Sequence, residues 1–386
     1  MRKLTCIALA LLALSAASCR RTVLTGPGTI PYVRQVVSDS AGTGIFDRVR
    51  FFDPSNVAGS ITVIGEPEPC LRLTARLLGG DAFDNVDGRM VEDGLPDFAG
   101  EEIAAILDEV NHPYSALLQD GKADDLREAA VRCFLTALDT TVRVSPYDRE
   151  NLRKKPVAKL IVLSSAALSE YGYADIDTLV SLSGKPVPVL SPAHVMLSQA
   201  LSVGRPVQIG VWLSQDSSAK AVYDNVFRKL MANRPESAGS ELMAFCPPDS
   251  LGTLGARFVR LLEMYRDSGT DRKLSVLLLD EYDTDIFDLN AKLAEIRRSE
   301  TFETMSLSKV LADDFRFIHI SDALYAACYR TLRERNLFTH YVAYPRAEIF
   351  ETVATSPVED LPFTVIGLNR RFLSEETLQM LDYVQN

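Results

Sequence analysis

The chain has 386 residues, 47% of them hydrophobic, and 41 Lys and Arg stand against 52 Asp and Glu, a formal charge of −11. A surface of that sign repels phosphate backbones at long range, which argues against nucleic acid as a partner. The length suffices for one large or two medium domains with buried cores, and no stretch after the first 18 residues reaches the ~18 uninterrupted apolar residues of a membrane helix.

Residues 1–18 read as an export signal. Arg2 and Lys3 form a basic start, Leu4 to Leu14 an almost wholly apolar run, and Ser15-Ala16-Ala17-Ser18 a small-residue stretch before Cys19. This resembles a bacterial lipoprotein signal, with one departure: Ala16 stands where a bulky aliphatic residue is usual. The resemblance implies cleavage before Cys19, lipidation of its thiol, and a body anchored to a bacterial membrane in the cell envelope, facing the periplasm or the exterior. Arg20 is not the aspartate that holds some lipoproteins at the inner membrane, which favours the outer one. An ordinary secretory signal cut near Ala17 is the alternative. Loss of Arg2 and Lys3 would leave 39 basic and 52 acidic residues, a charge of −13.

Residues 19–58 form a tether and irregular segment, marked by Thr25-Gly26-Pro27-Gly28 and Ser40-Ala41-Gly42-Thr43-Gly44, with order expected from Phe46 to Phe52. Residues 59–156 form a first α/β region. The β-branched run Ile61-Thr62-Val63-Ile64, ending at Gly65, predicts a strand, and Cys70 to Leu78 a helix. An acidic loop over 79–98 follows. Ile103, Ile106, Leu107 and Val110 at helical spacing predict an amphipathic helix over Ala99–Val110, and a second is expected over Asp124–Leu138. Residues 143–156, charged and with two prolines, read as an exposed connection.

Residues 157–386 alternate regularly. Strands are expected at Val157–Leu163, Val187–Leu190, Val207–Leu213, Leu242–Phe245, Leu274–Leu279, Phe315–Ile320, His340–Ala343 and Phe363–Leu368. Helices are expected at Ala193–Ser202, Ala219–Met231, Leu254–Tyr265, Leu289–Arg297, Ala323–Arg335 and Glu375–Val384. Apolar strands between amphipathic helices imply an α/β fold with mostly parallel, doubly wound sheets. Eight units exceed one ordinary sheet, so two Rossmann-like lobes around a cleft are expected, with segments free to exchange between them.

In open parallel sheets ligands bind outside the carboxyl ends of the strands. The residues there are Ser164, Ser165, Ser191, Ser214, Asp216, Asp280, Glu281, Tyr282, Ser321, Asn369 and Arg370, the candidates for holding a small polar solute. Serine and aspartate at such places also cap helices. A second candidate is the acidic loop. Asp81, Asp84, Asp87, Asp93, Asp97 and Glu101 could collect a divalent cation, Ca²⁺ or Mn²⁺/Mg²⁺, through oxygen ligands, although the spacing of three is not that of an EF-hand. A solvated Asp/Gly turn is the simpler reading. Cys70, Cys133, Cys246 and Cys328 lie 63, 113 and 82 residues apart, unlike a metal knuckle, and read as buried free thiols. No G-x-S-x-G elbow, P-loop or strand-linked dinucleotide fingerprint is present.

The alternation over Val157–Asn386, with the strand–loop–helix Val207–Leu230 and the run Val365-Ile366-Gly367-Leu368-Asn369, resembles the type I periplasmic solute-binding architecture. That resemblance implies a lipid-anchored binding protein that closes two lobes on a small polar solute and delivers it to an envelope membrane protein. The alternatives are an exported metal-assisted hydrolase using the carboxylates of 81–101, and a structural or assembly lipoprotein of the envelope.

Overall fold

The computed structural model describes residues 28–38, 44–214, 219–298, 301–341, 343–355 and 362–368. The signal, Cys19, Asp216, Asn369, Arg370 and the helix expected at Glu375–Val384 lie outside these residues.

Twelve strands among the described residues form two sheets. The first has eight: β1 (Ser60–Gly65), β2 (Glu102–Leu107), β3 (Thr141–Ser145), β4 (Asp148–Lys154), β5 (Ala158–Leu163), β6 (Val189–Leu190), β11 (Arg346–Ala354) and β12 (Phe363–Gly367), in the order β4-β3-β12-β11-β2-β1-β5-β6. The second has four: β7 (Gln208–Trp212), β8 (Glu241–Phe245), β9 (Leu274–Leu279) and β10 (Leu311–His319), in the order β10-β9-β7-β8. Every pair in the second sheet is parallel, as are β11-β2-β1-β5-β6 in the first; antiparallel pairing is confined to β3/β4 and β11/β12. The fold is therefore the expected α/β fold with mostly parallel sheets in two lobes.

Alternation along the strands directs side chains to opposite faces. Ile61, Val63, Ile103, Ala105, Leu160 and Val162 point to one face of the first sheet, under the helices Pro67–Gly79, Pro192–Leu201 and Ile320–Glu334. Ile64, Ala104, Ile106, Ile161 and Leu163 point to the other, under Ala123–Ala137, Tyr173–Ser183 and Pro31–Ser38. The first of these clusters continues into the second sheet through Ile209, Val211, Val276, Leu278 and Ile318, so one core joins both lobes. Trp212, Leu277 and Leu279 close a third cluster beneath Leu254–Asp267 and Ile286–Arg298.

Three expectations are corrected. Ala99–Val110 is not a helix but contains β2, a central strand. Ile103 to Leu107 are buried on both faces, and a run that is apolar throughout satisfies helical spacing by coincidence. Residues 143–156 are not a mere connection: they supply most of the β3/β4 hairpin at the sheet edge, where a charged strand such as Asp148–Lys154 is stable because one side stays in water. The residues described within His340–Ala343 form no strand, and pairing starts instead at Arg346, whose strand β11 lies parallel to β2. The boundary expected at 156/157 falls between two strands of the same sheet, and the C-terminal strands β11 and β12 return to the first lobe. The cysteines Cys70, Cys133 and Cys328 are buried free thiols, and Cys246 is a half-buried one.

Candidate functional site

The carboxyl ends of β1, β5, β7, β9 and β10 meet where the two sheets face each other. They enclose a cavity of about 270 Å³. Glu66, directly after β1, lines it from the first lobe with Ser164 and Ser165, directly after β5; Ser214, Asp280 and Tyr282 line it from the second. The turn after β1 requires glycine. A Cβ on Gly65 would fall 2.1 Å from Ser164 Oγ, well inside contact distance, so the absence of a side chain lets β1 and β5 end side by side. Ser164 is fully buried, and its hydroxyl donates to the Ile64 carbonyl at 3.2 Å.

Asp280 is the chemically distinctive group. Burial pushes its carboxyl up to about 7, with Glu281 and Glu66 adding to the rise, while the hydrogen bond from Tyr223 opposes it. Tyr223 Oη donates to Asp280 Oδ1 at 2.9 Å from the helix Ala219–Met231. Tyr282 crosses between the lobes and donates its hydroxyl to the Ser164 carbonyl at 2.6 Å. Glu66 Oε1 accepts from the Tyr114 backbone N–H at 2.9 Å. Tyr114 also lines the cavity, and its hydroxyl donates to Asp108 Oδ2 at 3.1 Å. Asp108 further accepts from Asn111 Nδ2 at 2.8 Å and Thr352 Oγ1 at 2.9 Å; burial raises its carboxyl above the usual range.

The described lining holds two carboxylates, several hydroxyls and no Lys, Arg or His. Ala219 and Ile320, which also line the cavity, open the helices Ala219–Met231 and Ile320–Glu334, whose first turns carry partial positive charge. The cavity therefore combines acceptors and donors suited to a small polar molecule.

Of the residues expected from the strand ends, Ser164, Ser165, Ser214, Asp280 and Tyr282 come together here. Ser191 does not: its hydroxyl lies 2.8 Å from His194 Nδ1, and burial holds that imidazole neutral by pushing it down to about 4. Glu281 turns away to Arg257 Nη2 at 3.2 Å. Ser321 lines a separate groove with Arg76 and Phe287. Glu66, Tyr114 and Ser115 were not among the expected residues. Glu66 follows a predicted strand and obeys the same rule; Tyr114 and Ser115 follow a loop after β2, which the sequence disguised as helix.

The acidic loop caps its own turns. Its carboxylates are spent on backbone N–H groups: Asp81 on Asp93 and Gly94, Asp84 on Val86 and Asp87, Asp87 on Arg89, Asp93 on Asn85 and Leu95, and Asp97 on Ala82 and Phe83. Tyr325 donates to Asp97 as well. Glu101 is elsewhere, in a buried ion pair with Lys159 at 2.6 Å. Among the described residues no group of three or more His, Cys, Asp or Glu is placed to hold a metal ion. The Asp/Gly turn with self-capping carboxylates is what forms.

No family model matches the sequence, and no curated protein matches it. Solved structures do. A glutamate racemase isoform from Bacillus anthracis is 13% identical, with 77% of this chain and 89% of that one covered and a TM-score of 0.45. Glutamate racemase from Francisella tularensis, in complex with D-glutamate, is 14% identical over 86% of this chain and 95% of that one, also at 0.45. The enzyme from Aquifex pyrophilus is 16% identical over 77% and 90%, at 0.42.

All three likenesses lie below a TM-score of 0.5, and the α/β fold in two lobes is read from the two sheets themselves. The solute-binding reading is corrected on two findings. The chains matched here are named as enzymes, not as binding proteins. The lobes also share one continuous apolar core rather than meeting across an open hinge, so the alternation of strands and helices that suggested hinge closure belongs to a different assembly of the same units.

Proposed function

We propose that the protein is an acid–base enzyme that removes and returns a proton next to a carbonyl or carboxyl group of a small polar substrate held in the interlobe cavity. The observation that carries this reading is Asp280. A carboxyl pushed up to about 7 by burial, hydrogen-bonded by Tyr223 and lining a hydroxyl-rich cavity, can both take and give a proton near neutral pH, where an ordinary carboxylate can only take one weakly. Tyr223 orients it through Oδ1. Ser164 and Ser165 line the cavity from the first lobe, and the Ser165 hydroxyl is a group that can hydrogen-bond a polar substrate. Glu66, from the same lobe, is positioned for a donor group of the substrate.

The test is solvent exchange. The full chain is incubated in deuterium oxide with a defined set of small carboxylic, hydroxy and amino compounds, and deuterium at carbon is read by mass spectrometry. Incorporation into one compound class, reduced by about a hundredfold or more in Asp280→Asn, is expected. No incorporation with the wild type, or incorporation undiminished in Asp280→Asn, overturns the proposal.

We infer that this body works in the cell envelope, tethered through Cys19. The support is the residue pattern of positions 2–19, a basic start, an apolar run and small residues before a cysteine. No helix among the described residues is long and apolar enough to cross a membrane. An acylated Cys19 would supply the attachment.

A further inference from the structure

We propose that the molecule held in the interlobe cavity is a small cationic amine with a neutral carbonyl group, an amino amide or amino ketone, whose ammonium group sits on Glu66. The inference rests on the reading of this cavity as the substrate site. Its described lining carries two carboxyl groups, Glu66 from the first lobe and Asp280 from the second, and no Lys, Arg or His. Neither carboxyl is fully used by the protein. Glu66 Oε1 accepts from the Tyr114 backbone N–H at 2.9 Å, and Asp280 Oδ1 accepts from Tyr223 Oη at 2.9 Å. Among the described residues, Glu66 Oε2 and Asp280 Oδ2 accept no hydrogen bond. His112 Nδ1 lies 3.9 Å from Glu66 Oε1, beyond hydrogen-bond reach, on a side chain half open to solvent. The charges that act on Asp280 are those of Glu281 and Glu66, both negative.

Two carboxylates on one cavity of about 270 Å³ repel each other unless a proton or a cation offsets one of them. In the free protein a proton on Asp280 does so. With an amine bound, the ammonium group does so instead, and Asp280 is released to ionise and act as the base. An ammonium group has three donors and no acceptor, the complement of two carboxylate oxygens left without protein partners. Aromatic faces attract cations as well, and the rings of Tyr114 and Tyr282 belong to the same lining. The same charge count limits the rest of the molecule. A free carboxylate would be a third anion, with no cationic side chain in the described lining to offset it. The partial positive charge at the starts of Ala219–Met231 and Ile320–Glu334 suits a neutral carbonyl oxygen. The ammonium group also draws electrons from the carbon that bears it. Loss of the proton from that carbon to Asp280 is thereby eased, with the electron pair of the C–H bond passing to the carbonyl oxygen.

The experiment is a calorimetric titration of the full chain at low ionic strength with three probes. Alaninamide has the ammonium group and a neutral carbonyl, propionamide lacks the ammonium group, and alanine replaces the amide by a carboxylate. Saturable binding of alaninamide is expected, with propionamide and alanine each weaker by about tenfold or more. Glu66→Gln, which keeps an acceptor for the Tyr114 N–H, is expected to weaken alaninamide by a similar factor. The comparison of probes on the unaltered chain decides the matter if that variant fails to fold. No saturable binding of alaninamide, alanine or propionamide binding as tightly, or alaninamide binding unchanged in folded Glu66→Gln overturns the proposal. Binding is read without turnover, so the two readings fail separately. Deuterium exchange into a compound without an amino group, with no binding of alaninamide, keeps the acid–base reading and removes the amine. Alaninamide binding that depends on Glu66, with no exchange into any compound, keeps the amine and removes the acid–base reading.

Discussion

Tyr223 donates its phenolic proton to Asp280 Oδ1 at 2.9 Å, where the helix Ala219–Met231 meets the end of β9. This single bond stabilises the ionised carboxyl and so opposes the burial that raises it. Tyr223→Phe removes the opposition. The acidic limb of any pH–rate profile that reports Asp280 is then expected to move above about 7, whereas loss of a mere packing group would leave it in place. A profile with an unmoved limb would remove Tyr223 from the site's electrostatics.

The same carboxyl links pH to stability. Its folded value, about 7, lies above the ordinary carboxylate value, so the folded protein binds this proton more tightly than the unfolded chain does. The stabilisation is complete below the unfolded value, near 4, and is lost as pH rises through about 7. Asp280→Asn keeps a neutral group of the same shape. Urea denaturation at pH 5 and pH 8 is expected to show a loss of stability in the wild type that is smaller in the variant.

Lys159 and Glu101 form an ion pair at 2.6 Å with both side chains almost wholly buried. Lys159 Nζ also donates to the carbonyls of Val57 and Leu337 at 2.7 Å each, so the pair ties two loops to the start of β5. Lys159→Met leaves Glu101 buried without its cation and is expected to cost about 3–5 kcal/mol in denaturant unfolding. Replacing both members by apolar residues is expected to cost less than the single change.

Gly65→Ala places a methyl group 2.1 Å from Ser164 Oγ at the floor of the cavity. A loss of about 1–3 kcal/mol is expected, and Ser164→Ala added to it should recover part of that loss, since the clashing atom is gone. Additive losses in the double variant would show that the turn is strained for another reason.

Chelators give a direct check on the acidic loop. Because its carboxylates bond backbone N–H groups of the loop, EDTA and added Ca²⁺ are both expected to leave the melting temperature unchanged, whereas Asp97→Ala, which frees the N–H groups of Ala82 and Phe83 and the Tyr325 hydroxyl, should lower it. A rise of several degrees with Ca²⁺ alone would reinstate a cation there.

Cys19→Ala tests the envelope reading. The variant is expected in the soluble fraction of the cell and the unaltered chain in the membrane fraction, with the same melting temperature for both bodies. Equal distribution of the two would leave Cys19 without a role in attachment.

Strands buried on both faces announced themselves: Ala158–Leu163 and Leu274–Leu279 are apolar but for Lys159 and Ser275, and the polar residues that end them, Ser164 and Asp280, fall at the cavity because parallel strands bring their carboxyl ends to one side. The same property misled at Ile103–Leu107, where an unbroken apolar run fits helical spacing as well as it fits a central strand. β11 was hidden for the opposite reason. Arg346, Glu348 and Glu351 interrupt its pattern, and it joins the first sheet from 239 residues beyond β2, with which it pairs from Arg346 against Glu102 onward.

Local pattern by itself determined the α/β class, most helices, and the places where polar groups leave the strands, because those depend on spacing along the chain. Only the tertiary structure decided which of those groups meet. Ser191 and Glu281 also follow strands, yet one bonds His194 and the other Arg257, while Glu66 and Asp280 from separate lobes line one cavity. Burial, too, is a property of the assembled core, and it is burial that lifts Asp280 to about 7 and leaves the more conspicuous acids of the 81–97 loop to cap its turns.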